Sequence, residues 1–239
     1  MSYPAHWVNR AFAPFKRLPK PLWVPVRRIA AAFGMPVLSS IRSGHFIASL
    51  AGKAMWGNGA PVPWYTIPCV QFLMSRNMSD LRVLEFGAGN STLWWATKST
   101  YVHAFDTNEE WANYVRSRTP QKVKVTQVSY STDDECRSKV ELALANEDPF
   151  DVVVIDGLSR PALVPVAVRW LGSGGALIWD NTERYPFFQL LRDSGLQRVD
   201  FYGYHHTAIN PGCTSIYFRP GCPLFSSKVP IMVALHIRP

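Results

Sequence analysis

Residues 83–96 read VLEFGAGNSTLWWA, and the prediction of the fold starts from these residues. It begins as a short apolar run, passes through a Gly-x-Gly turn at Gly87 and Gly89, and continues as a helix-length segment that Ser91 and Thr92 are placed to cap. Glycine lets the backbone turn sharply and approach a ligand closely because it has no Cβ. A helix that begins there adds unpaired N–H groups and a partial positive charge. The pattern is typical of a strand–turn–helix unit that binds a nucleotide.

The kind of nucleotide follows from the residues around the glycines. A dinucleotide fingerprint has a third glycine where this chain has Thr92, which fits that role poorly. An acidic residue, Glu85, stands two positions before Gly87. The run E-x-G-x-G-x-S-T-L-W closely resembles motif I of class I S-adenosylmethionine (SAM) dependent methyltransferases, and an ordinary glycine-rich turn is the alternative. The resemblance implies that the turn lies beside the methionine part of SAM, which Glu85 helps to orient. The cofactor contacts predicted here are Glu85, Gly87, Gly89, Asn90 and Ser91.

Two further acids follow the next strands. Residues 101–105 read as a second strand that ends at Asp106, 19 residues after Gly87. In a parallel sheet this acid lies beside the first turn and can accept hydrogen bonds from both ribose hydroxyls, and the resemblance implies that role. Asp133 follows a third strand at 123–128 and is a weaker candidate for contacting the adenine, with N-cap of a helix at 134–145 as its alternative role.

The order of elements predicts an α/β fold. Strands and helices alternate regularly beyond residue 83, and Gly174-Gly175 are predicted to turn the chain into a strand at 176–179. Two late strands, 197–202 and 214–218, follow a helix at about 186–194. This is the methyltransferase order, in which the last strand runs antiparallel. The predicted fold is a doubly wound, seven-stranded, mostly parallel, Rossmann-like sheet with a basic, helical N-terminal arm. The resemblance covers roughly residues 60–220, and the predicted division is an arm at 1–60 and a methyltransferase domain at 61–239.

Charge is distributed unevenly along the chain. Residues 1–79 contain no Asp or Glu, although the whole chain has a net charge of +8. Such an arm predicts contact with an anionic surface, with membrane lipid as the leading candidate. An arm packed on its own domain and an organelle transit peptide are the alternatives. Prolines at 4, 14, 19, 21, 25 and 36 are expected to break any long early helix. No apolar run is long enough for a membrane span or a secretory signal.

Composition predicts one folded domain with an appendage. The 239 residues are 47% hydrophobic and 18% charged, which is typical of a globular chain. The four cysteines include no C-x-x-C pair, so the sequence indicates a reducing compartment. The predicted localisation is cytoplasmic, with membrane association through the basic arm. Oligomeric state is not indicated.

Two adjacent strands end in candidate catalytic residues. Asp156 follows the β-branched run 150–155, and Asp180-Asn181 follow the next strand. Three oxygen ligands at one sheet edge suit Mg²⁺, and the pattern resembles the Asp, Asp, Asn metal site of catechol O-methyltransferase. The chain departs from that family because no lysine stands near Asp156. Asp156 as a SAM-side acid and Asp180-Asn181 as helix caps are the alternatives.

For a metal-free reaction the candidates for the general base are Asp156 and His205. His205 stands beside His206, and paired loop histidines are more often solvated than catalytic.

The acceptor is indicated only by resemblance. The runs P-W-Y-T-I-P, I-D-G-x-x-R and W-D-N-T-E-R look like bacterial methyltransferase-like proteins of polysaccharide and glycolipid biosynthesis. This implies O-methylation of a small molecule, a sugar or a lipid-linked glycan. Separately, Arg160 and Arg184 follow strand ends and are placed to hold an anionic or sugar-linked substrate, with surface salt bridges as the alternative. Trp64 or Tyr65 is a further candidate for the pocket wall. Two alternatives remain: a nucleic-acid methyltransferase, which the absent (D/N/S)-P-P-(Y/F/W) tetrad argues against, and a membrane-associated scaffold that has lost catalysis.

Overall fold

A computed structural model of the chain describes residues 19–185 and 188–225, and one seven-stranded sheet runs through them in the order β3-β2-β1-β4-β5-β7-β6. β1 to β5 pair in parallel, and β7 runs antiparallel to both β5 and β6. The strands are β1 (Arg82–Phe86), β2 (Tyr101–Asp106), β3 (Val123–Gln127), β4 (Phe150–Ile155), β5 (Leu171–Asp180), β6 (Gln197–Tyr204) and β7 (Pro211–Phe218). The predicted doubly wound, mostly parallel sheet is confirmed.

Helices cover both faces of the sheet and extend the chain at its N-terminal side. They are α1 (Lys20–Arg42), α2 (His45–Ala51), α3 (Ile67–Met74), α4 (Asn90–Lys98), α5 (Glu109–Arg116), α6 (Asp133–Leu144), α7 (Arg160–Trp170) and α8 (Phe188–Arg192), with short 3₁₀ turns at Thr182–Arg184 and Pro223–Phe225. The predicted helix at about 186–194 corresponds to α8, and its first two residues lie outside the described part of the chain.

The prediction that prolines prevent a long early helix is wrong. α1 spans 23 residues and contains Pro25 and Pro36, with Pro21 in its first turn. Proline in the first turn removes only an N–H that would be unpaired anyway. Each interior proline removes one backbone hydrogen bond, and on a solvent-exposed helix water can bind the carbonyl that is released. The arm residues 1–18 and the tail 226–239 lie outside the described residues, so their predicted roles stay predictions.

A glycine pair belongs to a strand instead of the turn predicted for it. Gly174 and Gly175 lie inside β5, and the β4–β5 register shifts between the pairs Phe150–Leu171 and Val152–Ala176. Glycine within a strand often marks such an irregularity. The correction lengthens β5 but leaves its carboxyl end at Asp180, next to the end of β4, because Ile155 pairs with Trp179.

Apolar side chains from both faces of the sheet form two buried clusters. One contains Leu84, Phe86, Val153 and Ile155 with the helices on their side. The other contains Val83, Val152 and Val154 together with Trp56 from the segment that follows α2. Burial on both faces explains why β1 and β4 read as continuous apolar runs. It also places the ends of these strands, and the turns that follow them, at fixed positions along one sheet edge.

Candidate functional site

A cavity of about 610 Å³ opens at the carboxyl ends of the parallel strands. Its wall combines the turn after β1, the ends of β2, β4 and β5, the β6–β7 loop and the segment after α2. Its size lies within the range typical of small-ligand sites. Open α/β sheets bind ligands at this edge, at the point where strand order reverses. Here the order reverses between β1 and β4, directly below the cavity.

The glycine turn is fixed by a close approach of two backbones. Gly87 has φ +115°, and a Cβ built on it would lie 2.5 Å from the backbone nitrogen of Gly157, just after β4. The N–H groups of Gly87 and Ala88 both donate to the carbonyl of Phe105 at 2.9 Å. The turn therefore needs glycine at position 87 for its backbone angle and for its contact with Gly157. Gly157 is a site residue that the sequence analysis did not single out.

Capping of α4 differs in detail from the prediction. Gly89 is the N-cap, and Thr92 in the first turn accepts a 2.9 Å hydrogen bond from the Gly89 N–H through its Oγ1. Ser91 lies within the helix and lines the cavity, as does Asn90. The Asn90 side chain donates to the carbonyl of Ala54 at 2.8 Å. Asn90 thus joins the glycine turn to the segment that follows α2.

Glu85 lies behind the glycine turn in a fully buried position. The Thr92 hydroxyl donates to its Oε2 at 2.5 Å, while its Oε1 is buried without a hydrogen-bond partner among the described residues. Burial raises the pKa of Glu85 to about 8, and the Ser91 and Thr92 hydroxyls act in the opposite direction. A buried carboxylate with a free acceptor atom is costly without a donor. Its position supports a role in holding the polar groups of a ligand in the turn.

Replacing Glu85 by glutamine is expected to stabilise the ligand-free protein above neutral pH. The folded-state pKa of Glu85 exceeds the unfolded value, so the folded state binds the extra proton between about pH 4.5 and 8 and loses stability as pH rises through that window. Glu85→Gln removes this loss, which is worth roughly 3–5 kcal/mol at pH 8.5 and little at pH 4.5. Thermal unfolding of both proteins at the two pH values measures the difference. A wild type that is the more stable protein at pH 8.5 would contradict the buried-acid interpretation.

Asp106 lies beside the glycine turn, where the sequence placed it. It ends β2, lines the cavity, and accepts a 2.8 Å hydrogen bond from the Asn108 N–H. Partial burial raises its pKa. Trp111 on α5 also lines the cavity, and its Nε1 donates to the carbonyl of Ala88 at 2.5 Å. Trp111 was not predicted from the sequence, because no spacing rule connects a tryptophan on α5 with a turn 23 residues earlier.

Asp133 lies away from the cavity wall. Thr132, and not Asp133, is the N-cap of α6, since the Thr132 hydroxyl accepts from the Glu135 N–H at 3.2 Å. Asp133 is the first residue of the helix and accepts a hydrogen bond from the Ser159 hydroxyl. The predicted cap was one residue off because both Thr and Asp favour that position. The adenine contact assigned to Asp133 stays a prediction.

Asp156, Asp180 and Asn181 meet at the cavity, as the strand order predicted. Arg160 connects them: its guanidinium donates to the Asp180 carbonyl at 2.6 Å and to Asn181 Oδ1 at 3.3 Å, and it lies 3.3 Å from Asp156 Oδ1. Burial and the neighbouring Asp180 raise the pKa of Asp156 to about 7, although Arg160 and His205 act against this shift. The non-glycine residues with positive φ in the described chain are Leu158, three residues after the end of β4, and Asn181, directly after β5. Such strained positions often border functional sites.

The three predicted metal ligands do not fit a metal site well. The positively charged guanidinium of Arg160 already contacts Asp156 Oδ1 and Asn181 Oδ1. Asp180 Oδ1 accepts from the Thr214 hydroxyl at 2.5 Å and lies 3.3 Å from His205 Nε2. Within residues 19–185 and 188–225 no group of three or more His, Cys, Asp or Glu side chains is placed to hold a metal ion. A divalent cation would have to displace the guanidinium or bind beside it against charge repulsion.

The histidine pair is buried, contrary to the expectation that it is solvated. His205 lines the cavity and contacts Asp180, whereas His206 packs edge-on against Trp56 with ring centroids 4.8 Å apart. Burial lowers the pKa of His206 to about 4, so it is neutral at physiological pH. Both histidines are held inside because the β6–β7 loop folds over the carboxyl ends of the strands.

Exposed side chains that line the cavity, and so lie at its mouth, come from parts of the chain that are far apart in sequence. Trp64, about half exposed, lines the cavity together with the basic residues Lys53 and Arg184. Tyr65, by contrast, is buried and accepts a 3.2 Å hydrogen bond from Trp95 Nε1. Of the two aromatic residues considered for the pocket wall, Trp64 lines it and Tyr65 belongs to the core. Lys53 was not singled out from the sequence, where it reads as one base among many.

Solved structures of other proteins share the architecture of this chain. No family model matches the chain, and no curated protein matches its sequence. A Klebsiella pneumoniae protein assigned as an O-methyltransferase aligns over 81% of this chain and 94% of its own, with 16% identity and a TM-score of 0.52. The O-methyltransferase TomG from Streptomyces achromogenes, which is involved in tomaymycin synthesis and was solved with SAM, aligns over 77% and 89%, with 16% identity and a TM-score of 0.52. The chain has the class I methyltransferase fold.

That fold alone does not decide the methylated atom. Precorrin-6y C5,15-methyltransferase from Geobacter metallireducens also aligns, over 64% of this chain and 87% of its own, at 15% identity and a TM-score of 0.50. Its name places methyl groups on carbon, whereas the other two act as, or are assigned as, O-methyltransferases. The acceptor must therefore be argued from the residues of this cavity.

Proposed function

We propose that the protein is a SAM-dependent O-methyltransferase that acts on a hydroxyl of a small molecule, a sugar or a lipid-linked glycan. The observation that carries the proposal is one cavity lined by Gly87, Gly89, Asp106 and Asp156 at the reversal point of the sheet. When bound, SAM supplies a methyl group on a positively charged sulfur. The chain's own residues must then hold SAM, orient the acceptor and accept its proton.

Cofactor binding is assigned to the turn after β1 and the end of β2. Gly89 leaves the turn open, since a Cβ there would meet Trp111 and the Ser91 hydroxyl at ordinary contact distances. The unpaired Oε1 of Glu85 lies behind the turn, and Asp106 at the neighbouring strand end offers carboxylate oxygens to vicinal hydroxyls. Asn90 and Ser91 add polar groups at the start of α4. These residues provide acceptors and an open backbone where a nucleoside with an amino-acid tail needs them.

Proton removal is assigned to Asp156. Its pKa of about 7 gives a base that is half deprotonated at neutral pH and still basic enough to accept a hydroxyl proton. Arg160 holds the carboxylate in place through contacts with both its side chain and its backbone carbonyl. His205, paired with Asp180 behind it, is the second base candidate and acts in this proposal as a positioning residue. Because Arg160 takes the place of a cation among these groups, the proposed reaction needs no Mg²⁺.

The acceptor class follows from the cavity mouth. Trp64 presents an exposed aromatic face, and Lys53 and Arg184 place positive charge near it. Aromatic faces bind sugar rings and other flat apolar groups, and the two bases suit a phosphate or carboxylate attached to the acceptor. A polysaccharide or glycolipid precursor combines these features. A nucleic-acid acceptor is a weaker alternative, since the basic residues that line the cavity are few: Lys53, Arg160 and Arg184.

Calorimetric titration with SAM tests the proposal. The wild type is expected to bind SAM, and Asp106→Asn is expected to weaken binding about 10- to 100-fold because a charged acceptor is lost. Asp134→Asn is the matched control, since Asp134 lies exposed on α6 in a surface ion pair with Arg137. Its affinity for SAM should equal that of the wild type. Absence of heat at every SAM concentration would favour the scaffold alternative.

A screen of acceptors completes the test. Labelled methyl transfer from SAM to sugars, glycolipid extracts, phenols and oligonucleotides identifies the substrate class. Transfer to sugars or glycolipids supports the proposal, while transfer only to oligonucleotides would replace it with the nucleic-acid alternative.

A further inference from the structure

Exposed apolar side chains are concentrated on α1 and α2. Eight of the thirteen large apolar side chains that are exposed in the described chain lie on these two helices, and Phe33 and Leu50 are 75% and 77% exposed. The eight are Leu22, Ile29, Phe33, Val37, Ile41, Phe46, Ile47 and Leu50. Exposed apolar side chains in this number on two consecutive helices normally have a partner. We call these eight residues the arm surface.

The residues of α1 that belong to the arm surface form a stripe. Leu22, Ile29, Phe33, Val37 and Ile41 follow one another at intervals of seven, four, four and four residues, which puts them on one side of an α-helix. Arg27 and Arg28 are exposed and lie outside that stripe. No Asp or Glu occurs anywhere in residues 1–79. An apolar stripe beside bases, with no acid, is the pattern of helices that lie in a membrane interface.

The arm surface is joined firmly to the cavity wall. A Cβ on Gly44, just before α2, would lie 2.6 Å from the backbone of residues 55–57, so α2 begins in close contact with that segment. Ala48 on the inner side of α2 is fully buried. Gly52, Lys53 and Ala54 follow α2 directly and line the cavity. A partner bound to the arm surface would therefore lie next to the cavity mouth.

We propose that the arm surface docks on an anionic lipid bilayer, with α1 lying in the headgroup region. The bases next to the stripe complement anionic headgroups, and Phe33 and its neighbours would enter the acyl boundary. A second copy of the chain is a poorer partner, because two identical surfaces that carry bases and no acids would bring like charges together. Among the described residues no helix is long and apolar enough to cross a membrane. The attachment is therefore interfacial, and it does not depend on methyl transfer.

Flotation of the full-length protein with vesicles tests the docking. We expect flotation with vesicles of equal parts phosphatidylcholine and phosphatidylglycerol, and much less with phosphatidylcholine alone. Phe33→Glu combined with Leu50→Glu should lower partitioning to the anionic vesicles about 100-fold, since two apolar side chains that would enter the bilayer are replaced by charged ones. Arg27→Gln combined with Arg28→Gln should lower it about 30-fold. Leu142→Glu is the matched control, because Leu142 is equally exposed but lies on α6.

Two measurements keep the outcomes distinct. The thermal midpoints of all variants should match the wild type, since every substituted side chain is exposed, and sedimentation equilibrium records the oligomeric state. A wild type that floats with neither vesicle, or a Phe33→Glu/Leu50→Glu variant that floats as well as the wild type, overturns the proposal. A dimer that this variant dissociates, without vesicle binding by the wild type, would show instead that the arm surface joins two copies of the chain.

Discussion

Asp156→Asn is expected to lower kcat about 10²- to 10⁴-fold, which is the usual range for loss of a general base. Asparagine keeps the shape and the contact with Arg160 but cannot accept the acceptor's proton. The base acts when deprotonated, so wild-type kcat should rise with pH up to about 7, the pKa of Asp156, and level off above it. The variant should lose this rise, while its affinity for SAM changes only a few-fold. Steady-state kinetics from pH 5.5 to about 9 measure both effects.

His205→Gln supplies the comparison for that experiment. His205 lowers the pKa of Asp156 by charge, so its removal should move the rising limb of the profile to higher pH without abolishing turnover. If His205→Gln abolished turnover and Asp156→Asn did not, the two roles would be exchanged. Chelation by EDTA should leave wild-type turnover unchanged, because Arg160 contacts the oxygen atoms that a metal would need. Loss of turnover with EDTA, restored by Mg²⁺, would make Asp156 a metal ligand.

Gly87→Ala is expected to destabilise the protein by about 3–5 kcal/mol and to lower its thermal midpoint by about 10 °C or more. A side chain at φ +115° is strained, and its Cβ would overlap the backbone of Gly157 at 2.5 Å. Neither atom is the end of a flexible side chain, so relief requires β1 and β4 to move apart at the cavity. Thermal unfolding measures the loss, and SAM binding should fall with it because the turn is displaced.

Gly89→Ala is the control that distinguishes steric overlap between a Cβ at position 87 and Gly157 from destabilisation caused by any substitution in the turn. Gly89 is also in the turn, but its φ of −178° suits any residue, and a Cβ there would lie 3.5 Å from Trp111 Nε1. Its cost should be about 1 kcal/mol, the loss from replacing an N-cap glycine by alanine. Equal destabilisation by the two substitutions would show that the contact between Gly87 and Gly157 is not the reason for glycine at position 87.

Much of the fold could be read from local pattern. The strand–turn–helix at 82–98 and the acid that ends β2 were predicted because each depends on neighbours within one element or on the order of elements, whereas the antiparallel last strand was implied by the resemblance to methyltransferases. Errors occurred where tertiary packing overrides local preference. α1 continues through two prolines on an exposed surface, and Gly174-Gly175 lie inside β5 where β4 pairs beside them.

The candidate site shows the same division. Asp156, Asp180 and Asn181 were expected to meet, and they do, since parallel strands end at one edge. Their expected use as metal ligands overlooked Arg160, whose contacts with them depend on where the first turn of α7 lies. The burial of His205 and His206 was also not predicted, because the path of the β6–β7 loop depends on tertiary contacts and not on the residues of the loop alone.

By itself, then, the sequence determined the glycine turn, the acids that end β2, β4 and β5, and an N-terminal segment with bases but no acids. These are covalent facts, or follow from the period of a strand or helix. The contacts between Gly157 and Gly87, between Trp111 and the glycine turn, and between Arg160 and the catalytic candidates are set by the tertiary structure, as is the position of the segment after α2 in the cavity wall. Each of these contacts joins residues from different elements, and their distance is set by how the sheet and its helices pack together.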